Sequence, residues 1–458
     1  MANIQSLPPE LLKKCFKYLC ITALSSVNPA IMKSLALVCR AWRGPAQAIL
    51  FSNVKISQAR RLRLFLMHGT RIELTQAVKR LQLYVHGDGG NATIAPRDAI
   101  TPGDLAKLLG FLPSIIEIDV TFERTTVLHD ATLEMIGFSD VRPKALRIAC
   151  MASDRSIVGS QLCSIWPSVE HVSLTGNAEI VRAYGASKPQ FELYEYEWRC
   201  TRPESEEHLQ WILYNSCHSL QILSLNNISD DVVFLCMILL KLRDSLRSLR
   251  IPRAPKRLLT TLSQLEKLQE FKVTASIPTR ETLNALPPTI EHLAFGIKPK
   301  PSRQSLIPNV PIPFTPPSST TTSSPTVTSP TRSLPFSSPR TSPVQTRSKA
   351  AAAVVGTRSA PRKENPTSTS LEDILEYVRK APSLRTVTYS WCESEGSSDV
   401  VGLKVLCVEK GIDLRCFRHE FGWFSVAERE EMVKCDTFPR YVPISKAHSR
   451  VPSTPYAP

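Results

Sequence analysis

The feature that most constrains this chain is a spacing: an apolar residue, two others, an apolar residue, one other, and a third apolar residue, returning along most of the sequence. It occurs as Val78/Leu81/Leu83, Ile115/Ile118/Val120, Val169/Val172/Leu174, Leu220/Leu223/Leu225, Leu246/Leu249/Ile251, Leu268/Phe271/Val273, Ile290/Leu293/Phe295 and Leu384/Val387/Tyr389. Leu146/Ile148 and Phe191/Tyr194/Tyr196 are weaker copies. The middle residues from 81 to 293 recur mostly every 22 to 29 positions. Alternating apolar residues put one face of a short strand inward, and the remaining length has room for a turn and a helical return. One such unit cannot cover its own apolar face, so neighbours must stack. Returns are predicted at 102–112, 204–214, 231–243, 257–265, 280–286 and 371–380, many beginning after Thr, Ser or Asp with early acids, as helix starts do.

This period resembles the leucine-rich repeat in a degenerate form, because only Asn177 and Cys392 stand where the consensus has Asn or Cys. The plainer alternative is a generic α/β layer protein. In the repeat, the residue between the last two apolar positions faces away from the core, on the concave side. That row is Gln82, Asp119, Arg147, Ser173, Ser224, Arg250, Lys272 and Thr388. Its basic members Arg147, Arg250 and Lys272 suit an acidic or phosphorylated peptide, the alternative being a solvated sheet face.

The first fifty residues follow another period. Pro8 and Pro9 suit the first turn of a helix, and Leu11, Leu12, Cys15, Phe16 and Leu19 then recur at helical spacing. Leu35, Val38, Cys39 and Trp42 mark a second helical stretch, with Arg40 and Arg43 on other faces. Two or three helices in about 45 residues sit near the lower limit for independent folding, so the unit needs a partner. Leu7-Pro8-Pro9-Glu10 together with Val38-Cys39-Arg40-Ala41-Trp42-Arg43 resembles the F-box, over residues 5–52. The resemblance implies docking onto the Skp-type adaptor of a cullin-RING ubiquitin ligase. It implies adaptor contacts at Leu7, Pro8, Leu11, Leu12, Phe16, Leu35, Val38 and Trp42. Cys15 and Cys39 read as small hydrophobes of the helix faces.

Composition narrows the remaining classes. The 458 residues carry a net charge of +15, of which residues 298–368, with ten Lys or Arg and one acid, supply +9. Most of the basic excess thus reads as belonging to that segment, and no basic stripe interleaved with stacking aromatics argues for nucleic acid. The same segment holds 14 of the 36 prolines and 25 Ser or Thr, a composition that predicts a disordered insertion into the solenoid. Proline-directed phosphorylation candidates are Thr315, Ser324, Ser329, Ser338 and Ser342. Lys363-Glu364-Asn365 resembles the KEN degron. Both features also arise by composition or chance.

The twelve cysteines show no metal-ligand spacing and no Cys-x-x-Cys, which predicts a reducing compartment, cytoplasmic or nuclear, with no metal and no cofactor. No signal-type start and no span-length apolar run is present, the longest being 232–240. Gly87-Asp88-Gly89-Gly90-Asn91 lacks the Lys-Ser/Thr of a phosphate loop and reads as a turn, and His419-Glu420 forms no readable dyad. The organisation expected is an F-box at 1–52, a connector at 53–76, a solenoid at 77–297, the insertion at 298–368, final repeats and a cap at 369–438, and a disordered tail at 439–458. In this reading a small helical F-box precedes an α/β leucine-rich-repeat-like solenoid. The function it implies is a non-catalytic substrate receptor of an SCF-type ubiquitin ligase that binds a protein and no membrane. An F-box scaffold outside any ligase, or a nucleic-acid-binding solenoid, are the other readings.

Overall fold

The computed structural model describes residues 7–20, 29–68, 72–87, 98–152, 155–179, 189–229, 232–296, 371–391 and 398–418. The chain divides into two units, Met1–Pro299 with Thr369–Pro458, and Lys300–Ser368; all described residues belong to the first. The insertion, with its five Ser/Thr-Pro candidates and Lys363-Glu364-Asn365, lies outside the described residues, as do Cys392, His419-Glu420 and the tail.

Three helices open the chain, α1 (Pro9–Cys20), α2 (Pro29–Val38) and α3 (Arg40–Leu50). Strands and helices then alternate: β1 (Asn53–Ile56), α4 (Ala59–His68), α5 (Ile72–Ala77), β2 (Arg80–His86), α6 (Pro102–Phe111), β3 (Glu117–Glu123), α7 (Asp130–Gly137), β4 (Ala145–Cys150), α8 (Val158–Cys163), β5 (His171–Gly176) and β6 (Glu195–Cys200). There follow α9 (Glu206–Ile212), β7 (Ile222–Leu225), α10 (Val233–Lys241), β8 (Ser248–Ile251), α11 (Leu259–Leu262), β9 (Glu270–Val273), α12 (Arg280–Asn284) and β10 (His292–Gly296). Beyond the insertion come α13 (Leu371–Lys380), β11 (Thr386–Trp391), α14 (Ser398–Glu409) and β12 (Asp413–Arg418). Helix starts carry local instructions: Thr101 and Asp104 form a capping box ahead of α6, and Ser205 and Thr279 cap α9 and α12.

The twelve strands form one parallel sheet in unbroken chain order, β1 to β12. This is an α/β solenoid, since each strand pairs only with the strand before and the strand after it. The register stacks Leu81, Ile118, Leu146, Val172, Tyr196, Leu223, Leu249, Phe271, Leu293 and Val387 in a single row, all fully or almost fully buried. Tyr196, not Tyr194, therefore occupies the middle position of β6, and the repeat there reads Leu193/Tyr196/Trp198. The stretch read as a connector also changes character. Val54 of β1 pairs with Leu81, so the sheet begins directly after α3.

The insertion interrupts sequence but not pairing, because His292 to Gly296 run beside Thr386 to Ser390. Helices α12 and α13, on either side of it, are joined by an ion pair from Arg280 Nη2 to Glu376 Oε2 at 3.1 Å.

Candidate functional site

The N-terminal helices have an apolar core of their own, separate from that of the sheet. Leu12, Phe16, Met32, Ala46 and Ile49 are buried in it, with Leu7, Leu35, Ala36, Trp42 and Leu50 packed around them. The Phe16 and Trp42 rings meet edge-on with centroids 5.1 Å apart. Helix α3 starts at Cys39, which is half-buried, while Cys15 is exposed and is no part of an apolar face. The eight residues expected to contact an adaptor thus separate into two groups. Leu12 and Phe16 are interior, and Leu7, Leu35 and Trp42 are half-buried against them; this group holds the unit together. Pro8, Leu11 and Val38 are turned outward. Leu11 is 44% exposed and Val38 59%, and two residues absent from the expected set, Ile31 at 39% and Leu37 at 80%, join them. About 45 residues cannot enclose all their apolar side chains, and α1 and α2 leave these four facing water.

Basic charge gathers here too. Residues 1–87 hold 13 Lys or Arg and two acids, a net of +11, which with the +9 of the insertion leaves −5 of the +15 for the rest of the chain. The basic excess therefore has two seats, not one. On α4, Ala59 and Leu62 are buried while Arg60, Arg61 and Arg63 are exposed.

The second surface is the sheet face turned away from the helices. The expected row is real: Gln82, Asp119, Arg147, Ser173, Ser224, Arg250, Lys272 and Thr388 lie in one register, joined by Glu197 and Ala294. Beside it runs a row of strand-initial residues that includes Arg80, Glu117, Glu195, Glu270 and His292. These acids engage the cations. Arg147 Nε lies 3.1 Å from Glu117 Oε1, Arg80 Nη2 2.9 Å from Asp119 Oδ2, and Arg250 Nη2 2.9 Å from Glu270 Oε1. Ser248 donates to Glu270 Oε2 at 2.6 Å, and His292 Nε2 lies 2.8 Å from Thr388 Oγ1. Burial raises the Glu197 carboxyl, but Arg199, the Ser173 hydroxyl and Arg147 outweigh it and hold the group at about 2. The face is a ladder of matched charges. Arg147 and Arg250, expected to face an acidic or phosphorylated peptide, are ion-paired within it, and Lys272, half-buried, has an interaction of its own.

A third place was not visible in the sequence. Between β6 and α9, the Tyr196 hydroxyl donates to Glu204 Oε1 at 2.5 Å, and His208 Nε2 lies 3.2 Å from that hydroxyl and 3.5 Å from the same carboxyl oxygen. All three side chains are buried. Burial pushes Glu204 well above the ordinary carboxylate range and His208 well below the ordinary imidazole value, each toward its uncharged form. Glu204 Oε2 has no hydrogen-bond partner among the described residues.

Among the described residues no group of three His, Cys, Asp or Glu is placed to hold a metal ion, and no helix is long and apolar enough to cross a membrane. Cys150, Cys163, Cys200 and Cys407 are buried free thiols, and burial raises Cys163 to about 12, which keeps it protonated and unreactive.

No known family profile matches the chain, and no curated protein does. Among solved structures, an internalin from Listeria monocytogenes is similar at 12% identity, with a TM-score of 0.27, over 49% of this chain and 69% of its own length. The fold assignment rests on the order and register of the sheet itself.

Proposed function

We propose that the chain is a non-catalytic substrate receptor of an SCF-type cullin-RING ubiquitin ligase, with α1 to α3 docking the Skp-type adaptor and the solenoid holding a protein substrate. The observation that carries this reading is the exposed set Leu11, Ile31, Leu37 and Val38 on a helical unit with its own small core. Apolar side chains left on the outside of a unit this small favour a partner that covers them. The F-box-like strings at Leu7 to Glu10 and Val38 to Arg43 name the kind of partner. A parallel sheet in unbroken strand order supports the second half of the reading, because stacked repeats offer a long continuous face to another protein.

The deciding experiment is affinity purification of the full chain with the proteasome blocked, followed by mass spectrometry. Adaptor and cullin together support the receptor; adaptor without cullin moves the protein to a scaffold outside the ligase. The exposed Arg60, Arg61 and Arg63 of α4 favour one other reading, contact with a nucleic-acid backbone. Binding to nucleic acid that weakens steeply with salt would favour it over the receptor.

A further inference from the structure

Helix α4 turns Ala59, Leu62, Phe65 and Leu66 toward the solenoid core. On its other side Arg60, Arg63, Leu64 and Met67 follow one another at i, i+3, i+4 and i+7, a single outward stripe, with exposed Arg61 beside it. Leu64 is 47% exposed and Met67 70%. None of the three guanidinium groups makes an ion pair or hydrogen bond among the described residues, in contrast to Arg80, Arg147 and Arg250 on the sheet face.

These arginines also stand at the unfavourable end of their helix. Cations suit the last turn and are disfavoured in the first, where unpaired N–H groups carry the positive end of the macrodipole. Three of the first five residues of α4 are Arg, and its first turn holds no acid. Asp98 offsets part of this, its Oδ1 accepting the Arg60 backbone N–H at 2.5 Å. A placement that works against the helix, with no answering partner inside the fold, belongs where a protein meets something outside itself.

We propose that the outer side of α4 docks an acidic helical segment of a partner protein, whose carboxylates pair with Arg60, Arg61 and Arg63 and whose aliphatic side chains cover Leu64 and Met67. A guanidinium takes a carboxylate through two parallel hydrogen bonds, so three of them within little more than one turn call for a segment with its acids on one face. The two apolar side chains decide between kinds of anionic partner. A nucleic-acid backbone would leave Leu64 and Met67 uncovered, and α4 exposes no aromatic ring on which a base could stack. The apolar face with which a basic helix enters a bilayer is here buried against the solenoid. The same arginines that admit nucleic acid as a reading therefore fit a protein better, and this docking face does not depend on the ligase reading.

The test uses the purified full chain and fluorescence anisotropy, with a labelled Glu-Ala-Leu-Glu repeat peptide as probe and oligoglutamate of equal charge as control. A DNA duplex and phosphatidylserine vesicles serve as the other anionic partners. The probe should bind saturably and about tenfold more tightly than oligoglutamate, the margin expected from covering one aliphatic side chain. Leu64→Ser with Met67→Ser should bring the probe down to oligoglutamate's affinity. Arg60→Glu with Arg63→Glu should abolish saturable binding while the melting temperature holds or rises, because acids suit the start of a helix. Equal affinity of the wild type for probe and oligoglutamate, no saturable binding of either, or tighter binding of duplex or vesicles than of the probe overturns the proposal. A lowered melting temperature of the charge-reversed variant would show the arginines to be structural and overturn it equally. Probe binding by a chain that captures no adaptor would retain the docking face and discard the ligase reading.

Discussion

Arg250 Nη2 and Glu270 Oε1 stand 2.9 Å apart across neighbouring strands, with both side chains almost wholly removed from water. A pair in that position is a structural tie, because removing one partner strands a charge that burial penalises. Glu270→Ala is expected to lower unfolding free energy by about 3 to 5 kcal/mol, read from urea denaturation. A loss below about 1 kcal/mol would show that the face is open to water and available to ligands.

Leu11 and Leu12 are neighbours in the chain and face opposite ways, 44% and 2% exposed. Leu11→Asp with Val38→Asp should abolish adaptor capture while the circular dichroism spectrum stays that of the wild type. Leu12→Asp should instead melt the three-helix core, since it buries a charge among Phe16, Met32 and Ile49. Undiminished adaptor capture by the outward double variant would remove α1 and α2 as the docking surface.

Glu197 links stability to acid. Its folded value of about 2 lies below the ordinary 4.5, so the stability it contributes is complete above about pH 4.5 and is lost as pH falls toward 2. At 1.4 kcal/mol per unit the ceiling is about 3 kcal/mol. Glu197→Gln should therefore be less stable than the wild type at pH 7 and should converge with it near pH 2. Parallel stability curves across that range would contradict the assignment.

Gly176, at the end of β5, has φ +88°, and a Cβ built there would stand 2.1 Å from the Cys150 carbonyl oxygen. That oxygen accepts from the Asn177 N–H, so neither strand can yield cheaply. Gly176→Ala should cost more than about 2 kcal/mol in thermal or chemical unfolding. A variant as stable as the wild type would mean the turn relaxes freely.

Excising residues 299–368 and bridging the ends with a short Gly/Ser linker should move the melting temperature by less than about 3 °C, because loop length enters closure entropy only logarithmically. The same cut removes all five proline-directed sites and Lys363-Glu364-Asn365, so any regulatory part they play should appear as altered turnover across the cell cycle. A fall of many degrees would show that the segment is packed.

What could be read from the sequence follows from how side chains announce burial. Core rows were legible because aliphatic residues at fixed offsets have one place to go, and the row bearing Arg147 and Arg250 followed by alternation. β6 was displaced by two residues because Tyr194, Tyr196 and Trp198 are each amphipathic enough to fit either register. β1 was hidden because Phe51/Val54/Ile56, which carries the same spacing, follows directly on α3 and was absorbed into its neighbourhood. The strand-initial acids Glu117 and Glu270 sit inside the pattern, one position before its middle residue, where the apolar spacing leaves the residue type open, although they neutralise Arg147 and Arg250. Glu204 is harder still: only burial, which depends on the whole fold, distinguishes it from exposed Glu206 two residues later.

The direct pairing of β10 with β11 has a kinetic consequence. Every other adjacent pair of described strands is closed by a few tens of residues or fewer, whereas Leu293 finds Val387 across the whole insertion. Zipping along the sheet from β1 should then pause at this joint, and β11 with β12 should behave as a separate cooperative segment that opens before the rest. In hydrogen exchange, amides of Thr386 to Trp391 would open at a lower free energy than those of β2 to β9. Chain connectivity would thereby make the end of the solenoid the last part to form and the first to open.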